Sequence, residues 1–124
     1  ESRDYQVAST GIIFNLGLTY HLIGKITSNT AYLQSALRFY QVTTTVIQQQ
    51  KDGYGYDEIL EMALMNNIGQ LFAEFSDIKS SQRCFGLLSQ TLRMIDPVRL
   101  SSCDADGFAL NILSHESQAM AAAA

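Results

Sequence analysis

Apolar residues recur at intervals of three and four along most of this chain, the mark of helices that each turn one face to a core. The series Val7, Ile12, Ile13, Leu16, Tyr20 and Ile23 predicts a first helix over about residues 6–26 with that face buried. Thr27, Ser28, Asn29 and Thr30 make a turn rich in capping residues, and Leu33, Ala36, Leu37, Tyr40, Thr43 and Ile47 then predict a second helix to about Gln50. Two glycines in the KDGYGY segment from Lys51 to Tyr56 mark a flexible linker, and Asp57 is a natural N-cap for a third helix. That helix is expected from about Glu58 to Phe75, with Leu60, Leu64, Ile68, Leu71, Phe72 and Phe75 inward and Glu58 and Glu61 complementing the dipole at its start. After a tight corner at Ser76 and Asp77, a fourth helix carries Cys84, Phe85, Leu87, Leu88, Leu92 and Ile95 and stops before Pro97, whose ring opposes continuation. Capping residues between Ser101 and Asp106 precede a short fifth helix centred on Phe108 to Leu113. The fold class is all-α, and the domain is single: about 7–50, a linker at 51–56, about 57–96, and a closing helix at about 104–116.

One phrase occurs twice. Ile13, Asn15, Leu16, Gly17, Tyr20 and Gly24 form the first copy, and Met65, Asn67, Ile68, Gly69 and Phe72 the second. In each, bulk surrounds a glycine, so the face carries a gap that admits a neighbouring helix. A bulky side chain at Gly17 or Gly69 is expected to overpack that crossing. A face of this kind cannot bury itself within one helix, and its repetition implies stacked helical pairs.

Composition sharpens this picture. The chain has 124 residues, 47% of them hydrophobic, which suffices for one core. Charged residues are only 16%, and between Ala8 and Gln50 only Lys25 and Arg38 carry charge; the polar positions there are Thr, Gln, Ser and Asn. A helical surface so poor in charge suits a flank covered by a partner. The net charge of −4 and the lack of any Lys/Arg cluster disfavour nucleic acid, which needs a basic footprint. Cys84, Cys103, His21 and His115 are scattered, without zinc spacing or a disulfide framework, so no metal or cofactor is expected and a reducing intracellular compartment is favoured, cytoplasm or plastid. The uncharged stretch from Gly11 to Gly24 includes Asn15, Thr19 and His21 and is too short to span a bilayer, so no transmembrane segment is expected. Beginning at Glu1 without a methionine, the chain is expected to be a mature or partial one.

The repeated phrase resembles the tetratricopeptide repeat, a helix-turn-helix unit of roughly 34 residues with a Trp-type residue, Leu-Gly, Tyr, then Ala and Phe. Ile13, Leu16, Gly17, Tyr20 and Gly24 occupy these places in the first copy, followed by Ala36 and Tyr40; Met65, Ile68, Gly69, Phe72, Ser81 and Phe85 occupy them in the second. The second copy keeps the family spacing. The first fits only if about seven residues are inserted after Gly24, which predicts a longer turn. Phrases such as NNIGQLF and FALNIL further resemble short, degenerate tetratricopeptide-like proteins of diatoms and related algae.

The resemblance implies two tetratricopeptide-like helix pairs and a closing helix, a fragment of right-handed α-solenoid. It also implies that partner-facing residues line the concave side: Phe14, Leu18, His21 and Leu22 in the first copy, and Asn66, Gln70, Ala73 and Glu74 in the second. Such a groove would take an amphipathic helix or an extended apolar segment of another protein. Asn66 and Gln70 lack basic neighbours, so the clamp some members use for a terminal carboxylate is not expected. No acid, base and nucleophile are brought together by spacing, so the chain reads as non-catalytic, with no small-molecule substrate evident. Two functions remain open: an adaptor that binds one protein partner, or a permanently docked subunit of a large assembly, such as the plastid photosynthetic membrane complex the algal resemblance implies. The bland alternative for the aromatics and glycines is that they serve only as core.

Overall fold

In a computed structural model, residues 2–51 and 57–123 are described, and they form α1 (Ser2–Thr27), α2 (Thr30–Gln49), α3 (Glu58–Glu74), α4 (Ile78–Met94), a 3-10 turn (Pro97–Arg99) and α5 (Ser102–Ala123). Residues 52–56 of the expected linker lie outside the described residues, as do the side chains of residues 2–4, 6, 7, 118, 119, 122 and 123, Val7 among them. The chain is all-α and falls into two compact units, Glu1–Glu61 and Met62–Ala124. No helix among the described residues is long and apolar enough to cross a membrane.

In the first unit, α1 and α2 form an antiparallel hairpin. Its seam follows heptad spacing on both sides: Thr10, Gly17, His21 and Gly24 are buried on α1, and Leu33, Ala36, Tyr40, Thr43 and Ile47 on α2. The buried apolar side chains of the seam come from α2, and two of them, Tyr40 and Leu33, seat against Gly17 and Gly24 of α1. A Cβ on Gly17 would lie 2.7 Å from Cε1 of Tyr40, and one on Gly24 would lie 2.7 Å from Cδ2 of Leu33 and 3.1 Å from its backbone nitrogen. Beside this seam Tyr20 stacks on Phe39 at 5.4 Å between ring centroids and meets Tyr32 edge-on at 5.7 Å.

The expected buried face of α1 is therefore corrected. Ile12, Leu16 and Ile23 are 62%, 43% and 41% exposed, and Ile13 is half-buried. The seam is offset from them by two residues, or about 200° around the helix. Hydrophobicity misplaces the face because α2 already supplies the bulk; close approach requires small residues on α1.

The second unit repeats the device. A Cβ on Gly69 of α3 would lie 2.8 Å from Cε2 of Phe85, and the Ser81 hydroxyl donates to the Gly69 carbonyl at 2.8 Å. Met62, Leu64, Leu71, Leu88, Ile95, Leu100 and Ile112 complete the buried apolar set. Asp57 caps α3 by accepting from the amides of Ile59 and Leu60. Asp96 caps the 3-10 turn, and the Ser101 hydroxyl accepts from the amide of Asp104 at the start of α5. That helix runs for 22 residues, well beyond the expected 104–116. Its alanine-rich tail carries the strongest helix propensity available.

The two hairpin corners are the same object. α1 ends with Ser28 at φ 52°, the Ser28 amide donating to Lys25 O and the Asn29 amide to Gly24 O at 2.9 Å. α3 ends with Ser76 at φ 61°, the Ser76 amide donating to Ala73 O and the Asp77 amide to Phe72 O at 2.8 Å. Both are Schellman motifs with a left-handed serine where glycine is usual. In both, the next residue is already the N-cap of the following helix: Asn29 accepts from Tyr32 N and Asp77 from Ser80 N.

The longer turn expected in the first hairpin is thus absent. Gly17 lies eleven residues before Ser28, where Gly69 lies seven before Ser76; Tyr40 lies twelve after Ser28, where Phe85 lies nine after Ser76. The seven additional residues are four on one arm and three on the other, close to one helical turn each.

Candidate interaction surfaces

The eight residues expected to face a partner divide into two groups. His21 is 6% exposed; its Nδ1 is hydrogen-bonded to the Tyr40 hydroxyl at 3.0 Å, with the rings edge to face. Tyr40 also meets the Phe14 ring at 5.7 Å. Asn66 is 8% exposed, accepts from Asn111 Nδ2 at 2.8 Å, and donates to Asn67 Oδ1 at 3.1 Å. His21 and Asn66 are therefore internal polar links, α1 to α2 and α3 to α5, and are not available to a partner. Their side chains find partners because a buried polar group without one is costly. The other six are at least partly open: Phe14, Leu18, Gln70 and Ala73 are half-buried, and Leu22 and Glu74 are exposed.

Opposite the glycine seam, α1 presents Ile12, Leu16, Thr19, Ile23 and Ile26, with Leu22 alongside. Ile26 is 83% exposed and Leu22 52%. These positions follow one another at steps of four, three, four and three, the spacing of a helix that packs along a second helix. Of the surrounding residues from Ala8 to Gln50, only Lys25 and Arg38 are charged. The spacing itself is visible in the sequence; assigning the stripe outward requires knowing that glycines line the seam.

A separate cavity of about 360 Å³ lies within the second unit. Ala73, from the end of α3, is its one member of the expected partner-facing set; Ile78, Ser81, Gln82, Phe85 and Gly86 come from α4, and His115, Glu116 and Met120 from α5. Phe85 and His115 stack at 4.2 Å with their planes 17° apart. Burial holds the His115 imidazole below its ordinary pKa, favouring the neutral ring. No local sequence signal announces this cavity, because Gly86 and His115 stand far apart in the chain.

Two titratable groups at and near the start of α4 are shifted from their ordinary values. Burial pushes the Cys84 thiol up despite the opposing Arg83 charge, so the thiolate is disfavoured. Asp77 is held below the usual carboxylate range by the Ser80 hydroxyl and then by its amide, a consequence of capping. Among the described residues no three His, Cys, Asp or Glu side chains are grouped to hold a metal, and Cys84 and Cys103 are free. Comparison with protein-family models, with curated proteins and with solved structures finds no match.

Proposed function

We propose that this chain is a non-catalytic, tetratricopeptide-like protein-protein interaction module. The observation that carries the proposal is the outward apolar stripe of α1, which a free-standing helix normally clothes in charge. The repeated crossing of glycine on aromatic at Gly17 with Tyr40 and at Gly69 with Phe85 supports a helical-repeat architecture of the solenoid kind. The occupant proposed for the stripe is an amphipathic helix of another protein, docking along Ile12, Leu16, Ile23 and Ile26.

The exposure of these residues permits charge to be added without disturbing the seam, and this supplies the test. The double variant Ile12→Glu, Ile26→Glu, at positions 62% and 83% exposed, should keep the wild-type circular dichroism and melting temperature yet lose co-elution with its partner in native extract, measured by size exclusion with light scattering. Co-elution unchanged in the variant, or a wild-type chain that elutes alone, would overturn the proposal. Self-association of the purified wild-type chain, abolished in the variant, would equally replace the partner by a second copy.

Permanent docking in a large assembly is a second function favoured by a specific feature, the near absence of charge from Ala8 to Gln50. A complex that resists moderate salt and does not exchange its subunit with time would select it over a transient adaptor.

A further inference from the structure

Helix-interior glycine normally costs stability, because it gains less from helix formation than alanine does. At Gly17, Gly24 and Gly69 the reason for glycine is visible in the atoms a Cβ would strike. Gly86, midway along α4, has no such reason: a Cβ there meets nothing within 4 Å. Gly11 and Gly107 are equally open, but of these three only Gly86 lines the cavity of the second unit, where a side chain would occupy part of the space.

The remaining lining defines what the space would accept. Its volume of about 360 Å³ falls in the range of small-ligand sites and exceeds the roughly 150 Å³ that holds a single benzene ring. His115, half-buried and stacked on the buried Phe85, offers an aromatic wall, and Ala73, Ile78 and Met120 add apolar contact. Glu116 is the one carboxylate of the lining, no lysine or arginine lines it, and no ion pair of Glu116 is formed among the described residues. An apolar space with an unpaired negative group favours a cation over an anion of the same shape.

We propose that this cavity is a binding site for an aromatic group of one or two rings bearing a positively charged amine. The ring enters beside Gly86 against His115, which Phe85 backs, and the ammonium is drawn to the Glu116 carboxylate. The chemistry could be presented by a free arylalkylamine or by an aromatic residue at the amino terminus of a peptide. The site is independent of the α1 stripe, so its success or failure leaves the proposed partner helix untouched.

The experiment is a titration of the ¹⁵N-labelled protein by heteronuclear NMR with three probes: tryptamine, N-acetyltryptamine, and a tripeptide with a free amino-terminal tryptophan. Tryptamine should move the Gly86 amide and the neighbouring α4 and α5 signals with roughly millimolar affinity, as a fragment of its size would. N-acetyltryptamine, uncharged but with the same ring, should bind several-fold more weakly. Glu116→Gln should erase that difference while leaving the neutral probe unchanged, and because Glu116 is exposed this variant should fold normally. Gly86→Leu should abolish binding of all three. Equal response to the tripeptide identifies a peptide anchor, and response to tryptamine alone identifies a free amine; both support the site. Equal affinities for the charged and acetylated probes, shifts located outside α4 and α5, or no shifts up to the solubility limit would overturn it.

Discussion

Replacing each interior glycine by alanine separates two effects that act on the same atom. The helix gains about 1 kcal/mol from the change wherever the glycine sits in a helix interior. The steric cost depends on what the new methyl meets. At Gly86 it meets nothing within 4 Å, so Gly86→Ala should stabilise by about 0.5–1 kcal/mol. At Gly17 it lies 2.7 Å and 2.8 Å from two carbons of the Tyr40 ring and 3.2 Å from the Phe39 Cβ. Tyr40 is fully buried, bonded to His21 through its hydroxyl and packed on Phe14, so its ring has little room to withdraw. Overpacking of this kind costs about 1–3 kcal/mol, which leaves Gly17→Ala net destabilising by up to about 2 kcal/mol. At Gly24 the obstruction includes the backbone nitrogen of Leu33, which cannot rotate away, so Gly24→Ala should be at least as damaging. Urea denaturation at constant slope, read by circular dichroism, gives all three differences in one series. The gap between Gly86→Ala and Gly17→Ala cancels helix propensity and reports the crossing alone. Equal midpoints for those two variants would refute a seam built on close approach at Gly17.

The corners and the cavity wall give two further outcomes. Ser28→Gly and Ser76→Gly each remove a side chain from a left-handed residue and should raise stability by about 0.5–1 kcal/mol in the same denaturation assay, since the strain relieved exceeds the added freedom of the unfolded chain. His115, with its folded pKa held below the ordinary 6.5 by burial, takes up a proton more readily when unfolded, so its contribution is complete above 6.5 and is lost as pH falls through its folded pKa. Comparing melting temperatures of wild type and His115→Phe between about pH 7.5 and about pH 5 should show a smaller fall in the variant, which keeps the ring against Phe85 and has nothing to titrate.

Much of the fold is visible in the spacing of apolar residues, and what is hidden has definite causes. Asp57 as a cap, the corner at Ser76 and Asp77, and the stop before Pro97 are local events, set by residues adjacent to the structure they form. The orientation of α1 is different. That helix is apolar on both sides, so hydrophobicity favours Ile12, Leu16 and Ile23, whereas the seam is decided by volume, by Gly17 and Gly24 opposite Tyr40 and Leu33. His21 and Asn66 mislead for a related reason: a polar residue beside a packing face reads as partner-facing until the Tyr40 hydroxyl and the Asn111 amide are found beside them. The cavity is least legible of all, because its walls meet only after α5 returns across α4, and α5 itself extends through alanines that carry no periodic signal.

The shared corner makes each hairpin a device of adjustable reach. Because the left-handed serine is followed at once by the next helix's cap, no loop exists to absorb a change in length, and growth must occur along the arms. Four residues added on one arm and three on the other advance them by about 6 Å and about 4.5 Å and bring both faces back near their starting phase. The corner therefore acts as a fixed pivot for arms that lengthen by whole turns, and a third hairpin one turn longer still could be written from the same two ends without designing a new turn.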